Sequence, residues 1–369
     1  MKYYIIAGEA SGDLHGGNLL KELKNIDKQA IFRGWGGPRM ETQQCQIARD
    51  YRHTAFMGFG DIIKNIIKIY NNFKFCQEDI LLFNPDVIIL IDYPGFNLKI
   101  ARWASLKKIK VIYYILPKIW AWNEARAKKL ISNCNVLISI LPFEPSYYKE
   151  KHNYIIDYVG NPLLDEIRSK SEINKKFNLK KPIIGLFPGS RKQELIKHFP
   201  IFLKIAAHYP QYDFMVAGVS MFPLELYRHY LKDNPEIKLV IDDSFSILQN
   251  ADFAVLKSGT ISLEAAILNV PQVVCYKTGG LFYFLAKKVV KIKYISLVNL
   301  ILNRGVVPEL IQHNCNETDL KNSIDKIINN QIVKNKMLED YREIKLKLCP
   351  NDESPSFLAA KKIFGYIKI

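Results

Sequence analysis

The sequence predicts an α/β fold built from two successive doubly wound, Rossmann-like domains with a cleft between them. Three observations carry this expectation. Short apolar runs rich in Ile, Val and Tyr alternate with segments of helical periodicity, as buried parallel strands alternate with their crossover helices. The alternation breaks once, at a Gly160-Asn161-Pro162 turn followed by the polar stretch 168–181, and then resumes. Strand, tight turn and helix also recur twice in the second half, at Pro188-Gly189-Ser190-Arg191 and at Lys257-Ser258-Gly259-Thr260.

In order along the chain, the first strand is expected at 2–7. Its apolar run is short and meets Glu9 and Asp13 where a secretion signal would need a cleavage site, so it reads as a strand. Further strands are expected at 30–35, 87–92, 110–116 and 136–141, with helical patterns between them such as 14–26 and 62–83. The second half offers strands at 182–187, 213–217, 238–241, 251–256 and 272–276, each followed by a helix-length segment. A last helical pattern, 351–369, follows the Pro350-Asn351-Asp352 punctuation. The expected division is 1–165, 166–345 and a C-terminal helical segment 346–369 that returns to an N-terminal domain, its own or a partner's.

Composition narrows the function classes. A 369-residue chain that is 49% hydrophobic and 24% charged suits a globular protein with sizeable cores. No apolar run reaches the ~18–20 residues of a membrane span. The six cysteines (45, 76, 134, 275, 315 and 349) lack CxxC spacing, which suits free thiols in a reducing cytosol. No HExxH, EF-hand or cysteine cluster occurs, so neither a metal nor another cofactor is expected. The formal charge of +16 points to nucleic acid, an anionic membrane or acidic substrates, unless it reflects a general bias toward Lys, Asn and Ile. Aromatics dispersed through apolar runs make no stacking platform, so nucleic acid is not expected.

The two turns of the second half suggest a clamp for a nucleotide diphosphate. Backbone N–H groups at a helix start attract anions, and an arginine there can grip two phosphate oxygens. Arg191, Gly189 and Ser190 form one jaw; Ser258, Gly259 and Thr260, with backbone and hydroxyl donors, form the other. Glu264, one turn further on, could accept from ribose hydroxyls or act as a capping partner, although Thr260 to Glu264 is one residue too long for a capping box. In the first half, Asp92 ends an aliphatic strand, where it could be a general base or a structural carboxylate. Glu9, Ser11, Asp13 and His15 cluster after the first strand and could line an acceptor side. Ser11 or Asp13 could instead cap the following helix.

Taken together, Gly8-Glu9-Ala10-Ser11-Gly12-Asp13, Gly36-Gly37-Pro38, Met57-Gly58, Asp92-Tyr93-Pro94, Trp120-Ala121-Trp122, Leu141-Pro142-Phe143-Glu144, Pro188-Gly189-Ser190-Arg191 and Ser258-Gly259-Thr260 with Glu264 resemble the lipid-A-disaccharide synthase family. The resemblance implies the two-domain GT-B glycosyltransferase fold. It also implies inverting transfer from UDP-2,3-diacylglucosamine to 2,3-diacylglucosamine 1-phosphate, giving a β-1,6 disaccharide and UDP. It favours Asp92 as base and Arg191 as the diphosphate contact. Asn299 and Glu309 match a further family block and are expected to face the donor nucleotide. It further suggests a homodimer exchanging C-terminal segments. One departure stands out: the family's second acid in this motif is replaced here by Gly95.

Lipid-linked substrates would require a membrane surface. Ile62, Ile63, Ile66, Ile67, Tyr70 and Phe73 recur at helical spacing among Lys64, Lys68 and Lys74, and 281–293 mixes aromatics with lysines similarly. One such stretch is ordinarily a core-facing helix; two in a basic protein favour an acyl-facing, membrane-peripheral surface. The expected protein is therefore cytoplasmic, bound peripherally to an anionic inner-membrane surface. Competing readings are another GT-B enzyme, either a nonlipid sugar transferase or a UDP-sugar epimerase, and a noncatalytic lipid- or nucleotide-binding protein.

Overall fold

The structure is a computed structural model. It describes residues 1–53, 66–122, 124–171, 177, 180–280, 283–284, 292–349 and 352–368. These divide into two compact units, one comprising Met1–Asp165 with Leu348–Ile369 and the other Glu166–Lys347.

The first unit begins with β1 (Lys2–Ala7), α1 (Ala10–Ile26), β2 (Ile31–Gly36), α2 (Pro38–Glu41), β3 (Gln46–Asp50), α3 (Ile66–Phe83) and β4 (Val87–Ile91). It continues through α4 (Pro94–Leu106), β5 (Val111–Tyr114), α5 (Ile119–Trp122), α6 (Ala125–Asn133), β6 (Val136–Ser139), α7 (Glu144–His152) and β7 (Asp157–Tyr158); the division between the units then falls within α8 (Leu163–Ser171). Its seven strands form one parallel sheet in the order β3-β2-β1-β4-β5-β6-β7. Every residue of β4 is a buried Val, Ile or Leu, as a central strand covered on both faces requires. Strand alternation assigns the two cores. Tyr4, Ile6, Ile88, Leu90 and Tyr113 point to one, while Tyr3, Ile5, Val87, Ile89, Ile91 and Ile112 point to the other.

The second unit holds β8 (Ile183–Phe187), α9 (Lys192–Ala206), β9 (Asp213–Gly218), α10 (Leu224–Leu231), β10 (Lys238–Ile241), α11 (Ser244–Asn250) and β11 (Phe253–Lys257). It continues with α12 (Ile261–Ile267), β12 (Gln272–Tyr276), α13 (Leu297–Leu302), β13 (Glu309–Ile311), α14 (Glu317–Ile328) and α15 (Gln331–Leu348). Its six-stranded parallel sheet runs β10-β9-β8-β11-β12-β13. The last helix, α16 (Pro355–Lys368), belongs to the first unit, where Ala359, Ala360 and Ile363 pack with Leu19, Leu20 and Leu23 of the same chain's α1.

Several expectations need correcting. Arg168–Ser171, the start of the polar stretch at which the alternation breaks, is the helical end of α8. The strand expected at 110–116 stops at Tyr114 because Ile115 takes φ +64 and turns the chain out of the sheet. The short strands β3, β7 and β13 were not anticipated. Of the helix expected at 62–83, residues 66–83 are helical, while Ile62, Ile63 and the Met57-Gly58 block lie outside the described residues.

In both sheets the strand order reverses once, between β1 and β4 and between β8 and β11. Crossovers diverge to opposite sides at such a switch point and leave a crevice at the carboxyl ends of the two strands, the usual ligand position in an open α/β sheet.

Candidate active-site groups at two switch points

Asp92 is the first residue beyond β4, and β4 pairs with β1 so that Ile91 lies beside Ala7. Asp92 and Glu9 therefore leave adjacent strands at the first switch point. Asp92 and Tyr93 both adopt left-handed backbone conformations, φ +44 and +48. Neither is glycine, so each costs roughly 1–2 kcal/mol. Surrounding bonds impose the geometry. The Asp92 carbonyl accepts from Asn97 Nδ2 at 2.8 Å and from the Tyr113 hydroxyl at 2.6 Å, and Asp92 N–H donates to Tyr114 O at 3.3 Å. The Tyr93 ring then covers Gly8 so closely that a Cβ there would lie 2.3 Å from it. The Asp92 carboxyl is pushed up to about 6, by burial first and then by Glu9, against the opposing pull of Lys118. A carboxyl titrating near neutrality at a switch point is suited to proton transfer.

The structure separates the residues expected on the acceptor side. Glu9 and Ser11 are exposed at the start of α1. Asp13 is not available there: it is 2% exposed, and its carboxylate accepts from the backbone N–H of Gly37 (2.7 Å), Arg39 (3.0 Å) and Met40 (3.1 Å). It caps α2, not the helix in which it sits. His15 is half-buried one turn into α1.

Sequence reasoning missed a polar cluster beyond β5 and β6. Glu144 opens α7 with 1% exposure, accepting from the Ser139 hydroxyl and from the Trp120 indole N–H at 2.9 Å. Burial raises its carboxyl to about 7, although Ser139, Trp120 and Lys118 all pull the other way. The available signal was an acid opening a helix directly after a strand, inside a block quoted above.

At the second switch point, Arg191 is exposed as the N-cap of α9, and Glu194 accepts its backbone N–H at 3.4 Å. Gly189 has φ +113, and a Cβ there would meet Glu194 Oε2 at 2.6 Å, so this turn needs glycine for its own geometry. Lys257 Nζ lies 2.7 Å from Glu194 Oε1, an ion pair that ties the end of β11 to the first turn of α9. The two turns of the expected clamp thus come together, joined by residues that the sequence did not single out.

His198 is 0% exposed and links α9 to the end of β12: Nδ1–H donates to Glu194 O at 2.7 Å and Nε2 accepts from Lys277 N–H at 2.9 Å. Burial, reinforced by Lys257 and Lys277, lowers its pKa and keeps the ring neutral. Among the described residues, Arg191, Lys257 and Lys277 thus lie at neighbouring strand ends with the acid Glu194, a set of cations suited to an anionic ligand.

The other turn lies at the end of β11. Ser258 donates its N–H to Cys275 O at 2.9 Å and its hydroxyl to Ile295 O at 3.0 Å, so both donors are committed within the unit. Gly259 and Thr260 are exposed, and Thr260 makes no side-chain cap bond. A Cβ on Gly259 would meet only Lys257 O, at 3.9 Å, so packing does not demand glycine there. Burial raises the Glu264 carboxyl to about 7, with Lys170 lowering it and Glu166 raising it.

Asn299 and Glu309 are both bonded within the second unit. Asn299 is 1% exposed and fully bonded: Oδ1 accepts from Val306 N and Val307 N, and Nδ2 donates to Val307 O and to Glu309 Oε1 at 2.8 Å. Glu309 also accepts from Ile295 N, Ser296 N and the Ser296 hydroxyl. Three of these donors reach Glu309 Oε1 and only Ile295 N–H reaches Oε2, and the pair frames the loop that Ser258 grips.

On α3, Ile67 is 74% and Tyr70 67% exposed, whereas Phe73 packs against the core, so the ordinary core-facing reading fails for the first two. Of the second aromatic-lysine stretch, 281–282 and 285–291 lie outside the described residues. Among the described residues no helix is long and apolar enough to cross a membrane.

A family model described as lipid-A-disaccharide synthetase matches residues 3–361. Curated relatives named lipid-A-disaccharide synthase include that of Geobacter metallireducens, 32% identical over 354 residues (93% of this chain, 92% of the relative). Another, from Coxiella burnetii, is 34% identical over 335 residues, 88% of each chain. Among solved structures, a UDP-GlcNAc 2-epimerase from Neisseria meningitidis bound to UDP-GlcNAc aligns with a TM-score of 0.67 at 14% identity, covering 99% of both chains. The glycotransferase of kitacinnamycin aligns with a TM-score of 0.67 at 11% identity, again covering 99% of both. At these identities the structural likeness establishes the two-domain Rossmann-like fold shared by GT-B glycosyltransferases and these epimerases.

Proposed function

The chain belongs to the lipid-A-disaccharide synthetase family and is a glycosyltransferase, and from that premise we propose that it joins two acylated glucosamines. The donor is UDP-2,3-diacylglucosamine, the acceptor 2,3-diacylglucosamine 1-phosphate, and the products a β-1,6 disaccharide and UDP. The observation that carries the reading is Asp92, held at the first switch point by a strained backbone, with its carboxyl raised to about 6. It is mostly ionised at neutral pH yet basic enough to take a proton, the compromise a general base needs.

In this reading the acceptor hydroxyl gives its proton to the Asp92 carboxylate as its oxygen bonds to the anomeric carbon of the donor. The bond from that carbon to the diphosphate breaks on the opposite face, and its electron pair leaves with UDP. A single displacement inverts the anomeric centre, so one carboxylate suffices and no covalent enzyme intermediate is needed. Arg191 stabilises the departing diphosphate with its guanidinium fork, and Gly259 and Thr260 approach it through backbone amides. Glu264 accepts from the ribose hydroxyls. Glu9, Ser11 and His15 line the acceptor side. Ile67 and Tyr70 face acyl chains at an anionic inner-membrane surface on the cytoplasmic side, and the net charge of +16 supports that attachment. In this reading the protein works as a homodimer.

The test is to incubate purified protein with both acylated sugars and quantify UDP and disaccharide. Equimolar, acceptor-dependent formation of both supports the reading. UDP release without acceptor would indicate an epimerase-like reaction, an unacylated acceptor that serves equally well would indicate another transferase, and binding without turnover would indicate a noncatalytic protein.

A further inference from the structure

Glu144 has no part in the reaction as written above, yet among the described residues it is the least exposed carboxylate of the first unit. It is 1% exposed, and its two oxygens accept from the Ser139 hydroxyl and from Trp120 Nε1–H, the latter at 2.9 Å. Trp120 is held from a second side by Phe143, edge-on with ring centroids 4.9 Å apart. Trp120 lies in α5, directly after the turn that leaves β5. That turn begins with Ile115 at φ +64, a conformation that a β-branched residue adopts only under constraint from its surroundings. It also carries Lys118, whose charge acts on both Asp92 and Glu144. The strands concerned, β4, β5 and β6, are consecutive neighbours in the sheet.

Both oxygens of Glu144 accept, whereas a glutamine offers one acceptor and one donor, so an amide there would loosen the hold on Ser139 and Trp120. Burying a carboxylate for shape alone is unfavourable, which argues that its charge is used. We infer that Glu144 is a positioning residue for the reaction at Asp92: it anchors Trp120, thereby fixes the turn after β5, and so sets Lys118 beside the base.

The inference deepens the proposed function and rests on Asp92 being the base. Glu9 after β1 and Lys118 in the turn after β5 are the charged groups that act on the Asp92 carboxyl, and the Tyr113 hydroxyl of β5 bonds the Asp92 carbonyl. Glu144 is faced by Ser139 from β6, Lys118 and Trp120 from the turn after β5, Tyr148 from its own helix and Tyr158 from β7. Of the charged groups named for both carboxyls, Lys118 is common to the two.

The experiment is the pH profile of acceptor-dependent turnover for wild type, Lys118→Met, Glu144→Gln and Trp120→Phe, with UDP affinity measured alongside. Lys118 lowers the Asp92 pKa, so losing or misplacing it should move the acid limb to higher pH, by about half a unit or more. Turnover should fall roughly 10- to 100-fold through kcat, with UDP affinity unchanged. Adding Glu144→Gln to Lys118→Met should move the limb no further, because both act along one line. Trp120→Phe reads the same line with the carboxylate intact if Glu144→Gln does not fold, and Lys118 is exposed, so its variant keeps the core untouched. An acid limb and kcat unmoved by Lys118→Met, or moved by it but unmoved by both Glu144→Gln and Trp120→Phe, overturns the inference. Full turnover by Asp92→Asn would instead overturn the base assignment beneath it.

Discussion

Replacing Asp92 by Asn should make the protein more stable and inactive at once. The Asp92 carboxyl is raised from 3.8 to about 6, chiefly by burial and then by Glu9. The folded protein thus holds this proton more tightly than the unfolded chain does. Below the unfolded value the group is protonated in both states and has no effect. Stability is lost as pH rises from there through about 6, and the full penalty applies above. A shift of roughly two units corresponds to about 3 kcal/mol. Asparagine keeps the shape without the charge, and its weaker bond to the Tyr93 N–H returns about 1 kcal/mol. The net gain at pH 8 is therefore about 2 kcal/mol, or about 4–8 °C in Tm for a unit of this size. Thermal unfolding at pH 8 should show that gain, and at pH 4 the two proteins should converge. Turnover should fall about 10²–10⁴-fold while UDP affinity holds. An Asn variant that is less stable than wild type at pH 8 would mean that the carboxylate is a structural partner, and the reasoning would be refuted.

Arg191→Ala should weaken UDP binding roughly 10- to 100-fold by titration calorimetry, with Tm unchanged because the side chain is exposed. Gly189→Ala should destabilise by about 1–3 kcal/mol, since φ is +113 and Glu194 occupies the space a Cβ needs. Gly259→Ala should leave Tm within about 1 °C and reduce UDP affinity, because only a ligand requires that backbone to be bare. Gly95→Asp, on an exposed first turn of α4 where a Cβ meets nothing within 4 Å, should raise stability by about 0.3–1 kcal/mol. It should also shift the acid limb upward through repulsion of Asp92, and an unmoved limb would place the two apart. Ile67→Ser with Tyr70→Ser should reduce sedimentation with anionic vesicles at low salt, and unchanged sedimentation would remove α3 from the membrane surface.

How far the sequence speaks follows from the range of each interaction. The parallel sheets were legible because strands such as Val87–Ile91 and Ile183–Phe187 are almost wholly aliphatic, a local property. β3, with the sequence Gln-Ile-Ala-Arg-Asp on a sheet edge, carries no such signature, and β7 and β13 are too short to show one. Asp92, Glu9, Arg191 and Thr260 could be placed at strand ends because each directly follows a strand or its turn. The uses of Asp13, Ser258, Asn299 and Glu309 could not be read, because their partners are set by the tertiary fold: Gly37, Ile295 and Val307 reach them across loops. The same holds for Glu194 with Lys257, 63 positions apart in sequence, and for Trp120 with Glu144. Ion pairs and buried hydrogen bonds of that range leave no trace in periodicity.

The central claim is that one aspartate deprotonates an acylated acceptor while a separate cationic turn releases UDP. Its most direct measurement is a single-turnover experiment with UDP-2,3-diacylglucosamine and 2,3-diacylglucosamine 1-phosphate, reading the anomeric configuration of the product by nuclear magnetic resonance. The account predicts one disaccharide per UDP, with the anomeric centre inverted, and no product from Asp92→Asn enzyme that still binds UDP. Retained configuration, or disaccharide formed by Asp92→Asn at the wild-type rate, would contradict it.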